Sequence, residues 1–89
     1  MRFVQTCGAC PEQYDVIEGD HQVGYVRLRW GTMTVDCPDV GGETVLDVVP
    51  YPNDPYVGCF VTDHDRTEWL GQAEAAIRKW MSKRGGTDG

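Results

Sequence analysis

The sequence predicts an α+β domain: an antiparallel three- to four-stranded β-meander packed against one C-terminal amphipathic helix. Three observations predict it. Between Tyr14 and Val49, short apolar stretches with two-residue alternation are separated by turns rich in glycine, proline and aspartate. Beyond Asp65 the apolar residues recur at helical spacing instead. A length of 89 residues holds one domain, and neither a hairpin nor a lone helix of this size is stable until each covers the other.

The first strand expected is Tyr14-Asp15-Val16-Ile17, followed by the turn Glu18-Gly19-Asp20-His21. Val23 to Trp30 is the clearest strand. Val26, Leu28 and Trp30 fall on one face, and Tyr25, Arg27 and Arg29 on the other. Gly31 breaks it, and Thr32 to Asp36 returns with Met33 and Val35 alternating against threonines, which reads as a hairpin. Cys37-Pro38-Asp39-Val40-Gly41-Gly42 is a loop, and Glu43 to Val49 resumes as strand. Pro50, Pro52 and Pro55 then make a stiff, irregular stretch, with Val57 to Val61 as a short last strand.

For the helix, Asp65 and Glu68 have the spacing of a capping box. Trp69, Ala73, Ala76, Ile77 and Trp80 form its stripe, and Leu70 and Met81 widen it. Glu74 and Arg78 are a favourable pair four residues apart, and Lys79, Lys83 and Arg84 suit the negative end of the helix before Gly85. The domain therefore spans residues 1–84, with 1–10 as a cysteine-containing arm and 85–89 as a disordered tail.

Eight basic and fourteen acidic side chains give a net charge of −6, unevenly spread. Residues 1–65 carry −8 and residues 66–89 carry +2. An acidic body argues against duplex nucleic acid as the main ligand, because neutralising phosphates takes a broad basic face. The hydrophobic content of 40% excludes a disordered chain. No apolar run approaches the roughly 18 residues of a membrane span. The opening residues lack the apolar centre of an export signal, so a cytoplasmic location is expected.

Four cysteines are many for such a chain. Cys7-Gly8-Ala9-Cys10 has the spacing of a metal knuckle, with Cys37 and Cys59 as the third and fourth ligands of a structural zinc and His21 and His64 as substitutes. No second close pair completes a ribbon pattern, and the bland alternative makes Cys37 and Cys59 small core residues. Asp63, Asp65 and Glu68 flank His64, an arrangement better read as first-turn acids on the helix than as an acid–base site. No nucleophile elbow, phosphate-binding loop or dinucleotide fingerprint is present, so no catalytic residue is assigned.

Two groups stand out as partner-binding candidates. Tyr51 and Tyr56 lie on the stiff proline-rich loop, and aromatics so placed are the type that anchors interfaces. Tyr25, Arg27 and Arg29 form a row on the strand face away from Val26 and Leu28. Trp30, Trp69 and Trp80 are expected in the core.

Cys10-Pro11-Glu12-Gln13-Tyr14-Asp15-Val16, Val23-Gly24-Tyr25-Val26-Arg27-Leu28-Arg29 and Pro38-Asp39-Val40-Gly41-Gly42-Glu43-Thr44-Val45 together resemble a family of short uncharacterised proteins from phages and from actinobacterial and related genomes. The resemblance runs from Cys10 to Trp80. It implies the same meander-plus-helix layout and a phage or mobile-element origin, and it transfers no site residue. Those relatives carry Gly-Asp-Gly where this chain has Asn53-Asp54-Pro55-Tyr56-Val57-Gly58. The expectation is a non-catalytic, acidic binding protein, phage-encoded by that resemblance, that docks on a host or phage protein. Its sharper form is an inhibitor whose carboxylates mimic DNA; the alternative is a zinc-stabilised module binding nucleic acid or protein.

Overall fold

A computed structural model of the chain describes residues 1–7 and 10–85. The α+β meander is there, with one strand more than the sequence suggests. Strands β1 (Arg2–Gln5), β2 (Glu12–Glu18), β3 (His21–Arg29), β4 (Thr32–Cys37) and β5 (Glu43–Val48) form one antiparallel sheet in chain order. Helix α1 (Asp63–Gly85) follows and packs on β3, β4 and β5. Among the described residues no helix is long and apolar enough to cross a membrane.

One face of the sheet alternates into the core. Val16, Val26, Leu28, Met33 and Val35 are buried there against Ala73 and Ile77 of the helix. Trp69, Leu70, Trp80 and Met81 pack around them, as the stripe requires. Gly24 sets how closely the layers meet, since a Cβ at that position would lie 2.7 Å from Cδ1 of Ile77. The other face carries Gln13, Asp15, Tyr25, Arg27, Thr34 and Asp36, all half-buried within the sheet. This is the inside–outside alternation of an antiparallel sheet covered on one side.

Five expectations are corrected. The arm expected over residues 1–10 opens with β1, which owes its existence to pairing: Phe3 lies opposite Val16 and sets its ring edge-on to Tyr14 at 6.3 Å. Four residues give little intrinsic strand signal, so the partner decides. Val57 to Val61 is no strand. It crosses the ends of β2 and β3, and its carbonyls take isolated bonds, Gly58 from the Glu12 N–H and Val57 from the Gly31 N–H. The helix cap is Thr62 rather than Asp65: Thr62 Oγ1 accepts the Asp65 N–H at 3.0 Å, and Asp65 sits in the first turn. Trp30 leaves the core entirely. It and Gly31 are the two loop residues of the β3–β4 hairpin, with Arg29 opposite Thr32, so its side chain never joins the Val26–Leu28 row. Of the expected tail over 85–89, Gly85 closes α1 instead, and residues 86–89 lie outside the described residues.

Candidate docking site

Two clusters of polar and aromatic side chains gather where the Pro50–Val61 segment crosses the sheet. The first is closed. Glu12 opens β2 on the core side and is only 2% exposed. Its carboxylate accepts from Arg66 Nε at 2.6 Å, from the Phe60 N–H at 3.1 Å and from the Tyr14 hydroxyl. Burial works to raise its pKa, yet the bonds from Arg66, Tyr14 and the Phe60 N–H outweigh that and hold it below the ordinary value. Burial and the adjoining Glu12 push Tyr14 up to about 12. Arg66 also pairs with Asp63, so the guanidinium ties β2 to the start of the helix.

Tyr51 belongs with this closed cluster. Its hydroxyl donates to Asp65 Oδ2 at 2.7 Å and accepts the Val61 N–H at 2.9 Å, and its ring packs against the core. The anchor reading of Tyr51 is therefore corrected: this residue staples the proline-rich loop to the helix. No buried side-chain nitrogen or oxygen among the described residues lacks a hydrogen-bond partner.

The second cluster is open. Trp30 is 65% exposed and Tyr56 76% exposed, and their rings meet edge to face at 6.3 Å and 77°. The Arg29 guanidinium carbon lies 5.9 Å from the Trp30 ring centre. Beside them is a shallow depression of about 450 Å³ lined by Cys10, Pro11, Arg29, Trp30, Tyr56 and Gly58.

The backbone explains how the rings are held. Trp30 has φ 54° and Gly31 φ 76°, the paired positive values of a two-residue primed turn. A Cβ on Gly31 would meet the Pro55 carbonyl oxygen at 2.9 Å, so only glycine lets the turn press against the Tyr56 loop. The Gly31 N–H then bonds to the Val57 carbonyl at 2.9 Å. Left-handed backbone is costly for a bulky L-residue, and asparagine or glycine would occupy Trp30's place with less strain.

The five partner-binding candidates do not converge. Arg29 and Tyr56 meet through Trp30, a residue that strand periodicity assigns to the core. Tyr25 lies between Asp15 and Asp36 across neighbouring strands, and Arg27 between Gln13 and Thr34, both on the open sheet face. The signal that bears on Trp30 is Gly31: a glycine between two alternating strands marks a tight turn, and a two-residue loop takes in the residue before it.

The four cysteines do not assemble either. Cys10 and Cys59 are joined by a disulfide, which fastens the loop after Tyr56 to the residue before Pro11. Cys37 is buried at the end of β4, its thiol pushed up to about 11 by burial and by Asp36 and Glu43. Cys7 is a separate free thiol. Of the expected zinc set, Cys10 and Cys59 are thus crosslinked, Cys37 is a buried residue and Cys7 a free thiol, and Gly8 and Ala9 of the expected knuckle lie outside the described residues. His64 is exposed and, among the described residues, reaches only Glu68, at 3.8 Å. Among the described residues no group of three or more His, Cys, Asp or Glu side chains could hold a metal ion.

Compared with known proteins, the chain matches no family model, no curated protein and no solved structure.

Proposed function

We propose that this chain is a non-catalytic binding domain that docks on a protein partner through the Arg29–Trp30–Tyr56 corner. The observation that carries the reading is Trp30: a large aromatic in left-handed backbone, at a turn where smaller residues cost less, and without burial in return. Strain that the fold does not need points to something outside the fold. The composition agrees, since tryptophan, tyrosine and arginine are the residues over-represented at interface hot spots. The disulfide and the Gly31–Val57 bond hold the corner on rigid elements, which lowers the entropy lost on binding.

Docking through this corner is favoured over mimicry of DNA because its lining holds an arginine and two rings and no carboxylate. The resemblance to phage proteins makes a host or phage protein the partner class to test first. The experiment is affinity capture from host lysate with the wild type and with Trp30→Asn and Tyr56→Ala. Both variants should melt as the wild type does, and a specific partner should be lost from each. Equal capture by all three proteins removes the corner from the interface.

A further inference from the structure

The side-chain hydrogen-bonding groups at the open corner are almost all donors, and none is in use among the described residues. The Trp30 indole N–H, the Tyr56 hydroxyl and the Arg29 guanidinium make no hydrogen bond or ion pair among the described residues, although all three project beside one depression. In the main chain below, the Gly31 N–H is committed to Val57 and the Glu12 N–H to Gly58, so neither is open to an added strand. Pro11 has no N–H to offer. The lining contains no carboxylate or carboxamide to receive a ligand's donors. A ligand complementary to these side chains is apolar, rich in acceptors and poor in donors.

We propose that this corner binds a proline-rich segment in the polyproline II conformation, with a carboxylate next to its prolines; the proposal rests on the docking reading above. A polyproline II strand makes no internal hydrogen bonds, so its carbonyls stand outward as free acceptors, while its prolines carry no N–H. Its pyrrolidine rings are the apolar faces that exposed tryptophan and tyrosine rings receive, and its stiffness limits the entropy lost on docking. The indole N–H and the phenol O–H bond the carbonyls. Arg29 supplies the charge complementarity. In a chain of net charge −6 it is a cation without a carboxylate partner among the described residues, at the edge of an aromatic site, and it selects an acidic residue beside the prolines.

The test is a nitrogen-15 NMR titration of the full chain with three peptides of equal length. One is all proline, the second is the same peptide with a single central aspartate, and the third is alanine-based with aspartate at the same place. The Trp30 indole resonance is identified by its disappearance in Trp30→Asn. Both proline peptides should move it in a saturable way, and Trp30→Asn and Tyr56→Ala should weaken binding about tenfold or more, read on neighbouring backbone amides. The aspartate-bearing proline peptide should bind about two- to fivefold tighter than the all-proline one, the range of an exposed charge pair, and Arg29→Ala should erase that preference alone. An indole unmoved at millimolar proline peptide, or moved equally by the alanine peptide, overturns the assignment. The two readings fail separately: lysate capture that depends on Trp30 while the proline peptides do not bind retains docking and discards polyproline. Proline binding at Trp30 with capture unaffected by Trp30→Asn retains the ligand class and discards the corner as that partner's site.

Discussion

Tyr51 and Tyr56 stand five residues apart in one proline-rich loop and lead opposite lives. The Tyr51 hydroxyl both donates and accepts, bridging Asp65 and the Val61 N–H, and its ring lies against the core. The Tyr56 ring meets only Trp30 in an aromatic contact, and its hydroxyl bonds to nothing among the described residues. The same contrast separates the arginines: Arg66 is bound to Glu12 and Asp63, while Arg29 lies beside an indole with no carboxylate partner among the described residues. What distinguishes a structural cluster from a recognition cluster here is the state of its donors. Where every donor is satisfied, removing a side chain should cost stability. Where the donors are free, removal should cost only binding.

The largest expected effect tests the crosslink that both clusters share. The disulfide closes a sequence separation of 49 residues, and in the chain-entropy view a loop of that size is worth roughly 4 kcal/mol. Reduction, or the pair Cys10→Ser and Cys59→Ser, should lower the unfolding free energy by that order and loosen the Tyr56 loop. Urea melts with and without a dithiol reductant measure it, and the double serine variant should show no further response to reductant. A reducing cytoplasm would open this bond, so the cytoplasmic location expected from the sequence requires a domain that holds without it.

Next comes the closed cluster. Glu12→Gln should destabilise the domain by about 3 kcal/mol, the lower end for breaking a buried ion pair, because Arg66 keeps some access to water. The pH profile carries the sign. With its folded pKa depressed, Glu12 contributes stability that is complete above its ordinary value of 4.5 and is lost as pH falls through the folded value. Tyr14 acts at the other limb: with its pKa raised from 10.0 to about 12, its contribution is complete below 10 and lost between those values. Thermal melts from acid to alkaline pH should show both limbs, and Glu12→Gln should flatten the acid one. An acid limb unchanged in Glu12→Gln would mean that the cluster is not what closes the fold.

The meander and helix are legible in the sequence because their patterns are local: alternation writes β3 and β4, and three-four spacing writes α1. What is not legible depends on residues far apart in sequence. Glu12 looks like any strand-end acid until Arg66, 54 residues later, is folded over it. Cys10 and Cys59 look like metal ligands or core residues until the loop returns to join them. Of the candidate site, Arg29 and Tyr56 are found by residue type. Trp30, which unites them, is lost when strand periodicity is extended one residue into the turn that Gly31 marks.

Smaller effects separate the two tyrosines. Tyr51→Phe removes a hydroxyl that serves both Asp65 and the Val61 N–H, so a loss of about 1–2 kcal/mol is expected with partner capture intact once the protein is folded. Tyr56→Phe, by the same reasoning, should leave the melt unchanged.

A small change in stability carries the sharpest test, because two opposing effects nearly cancel in it. Trp30→Asn keeps the positive φ of the turn with a residue suited to it, and the indole it removes is mostly in water. The contacts given up are an edge-to-face pair with Tyr56 and the Arg29 guanidinium, both at the surface. Each is worth on the order of 1 kcal/mol or less when exposed. Relief of left-handed strain offsets them by a similar amount. The variant should therefore melt within about 1 kcal/mol of the wild type, measured by far-ultraviolet circular dichroism, while partner capture falls by about tenfold or more. A melt lowered by about 3 kcal/mol, the scale of a lost core aromatic, would make Trp30 a structural residue after all, and would place the open cluster in the same class as the closed one.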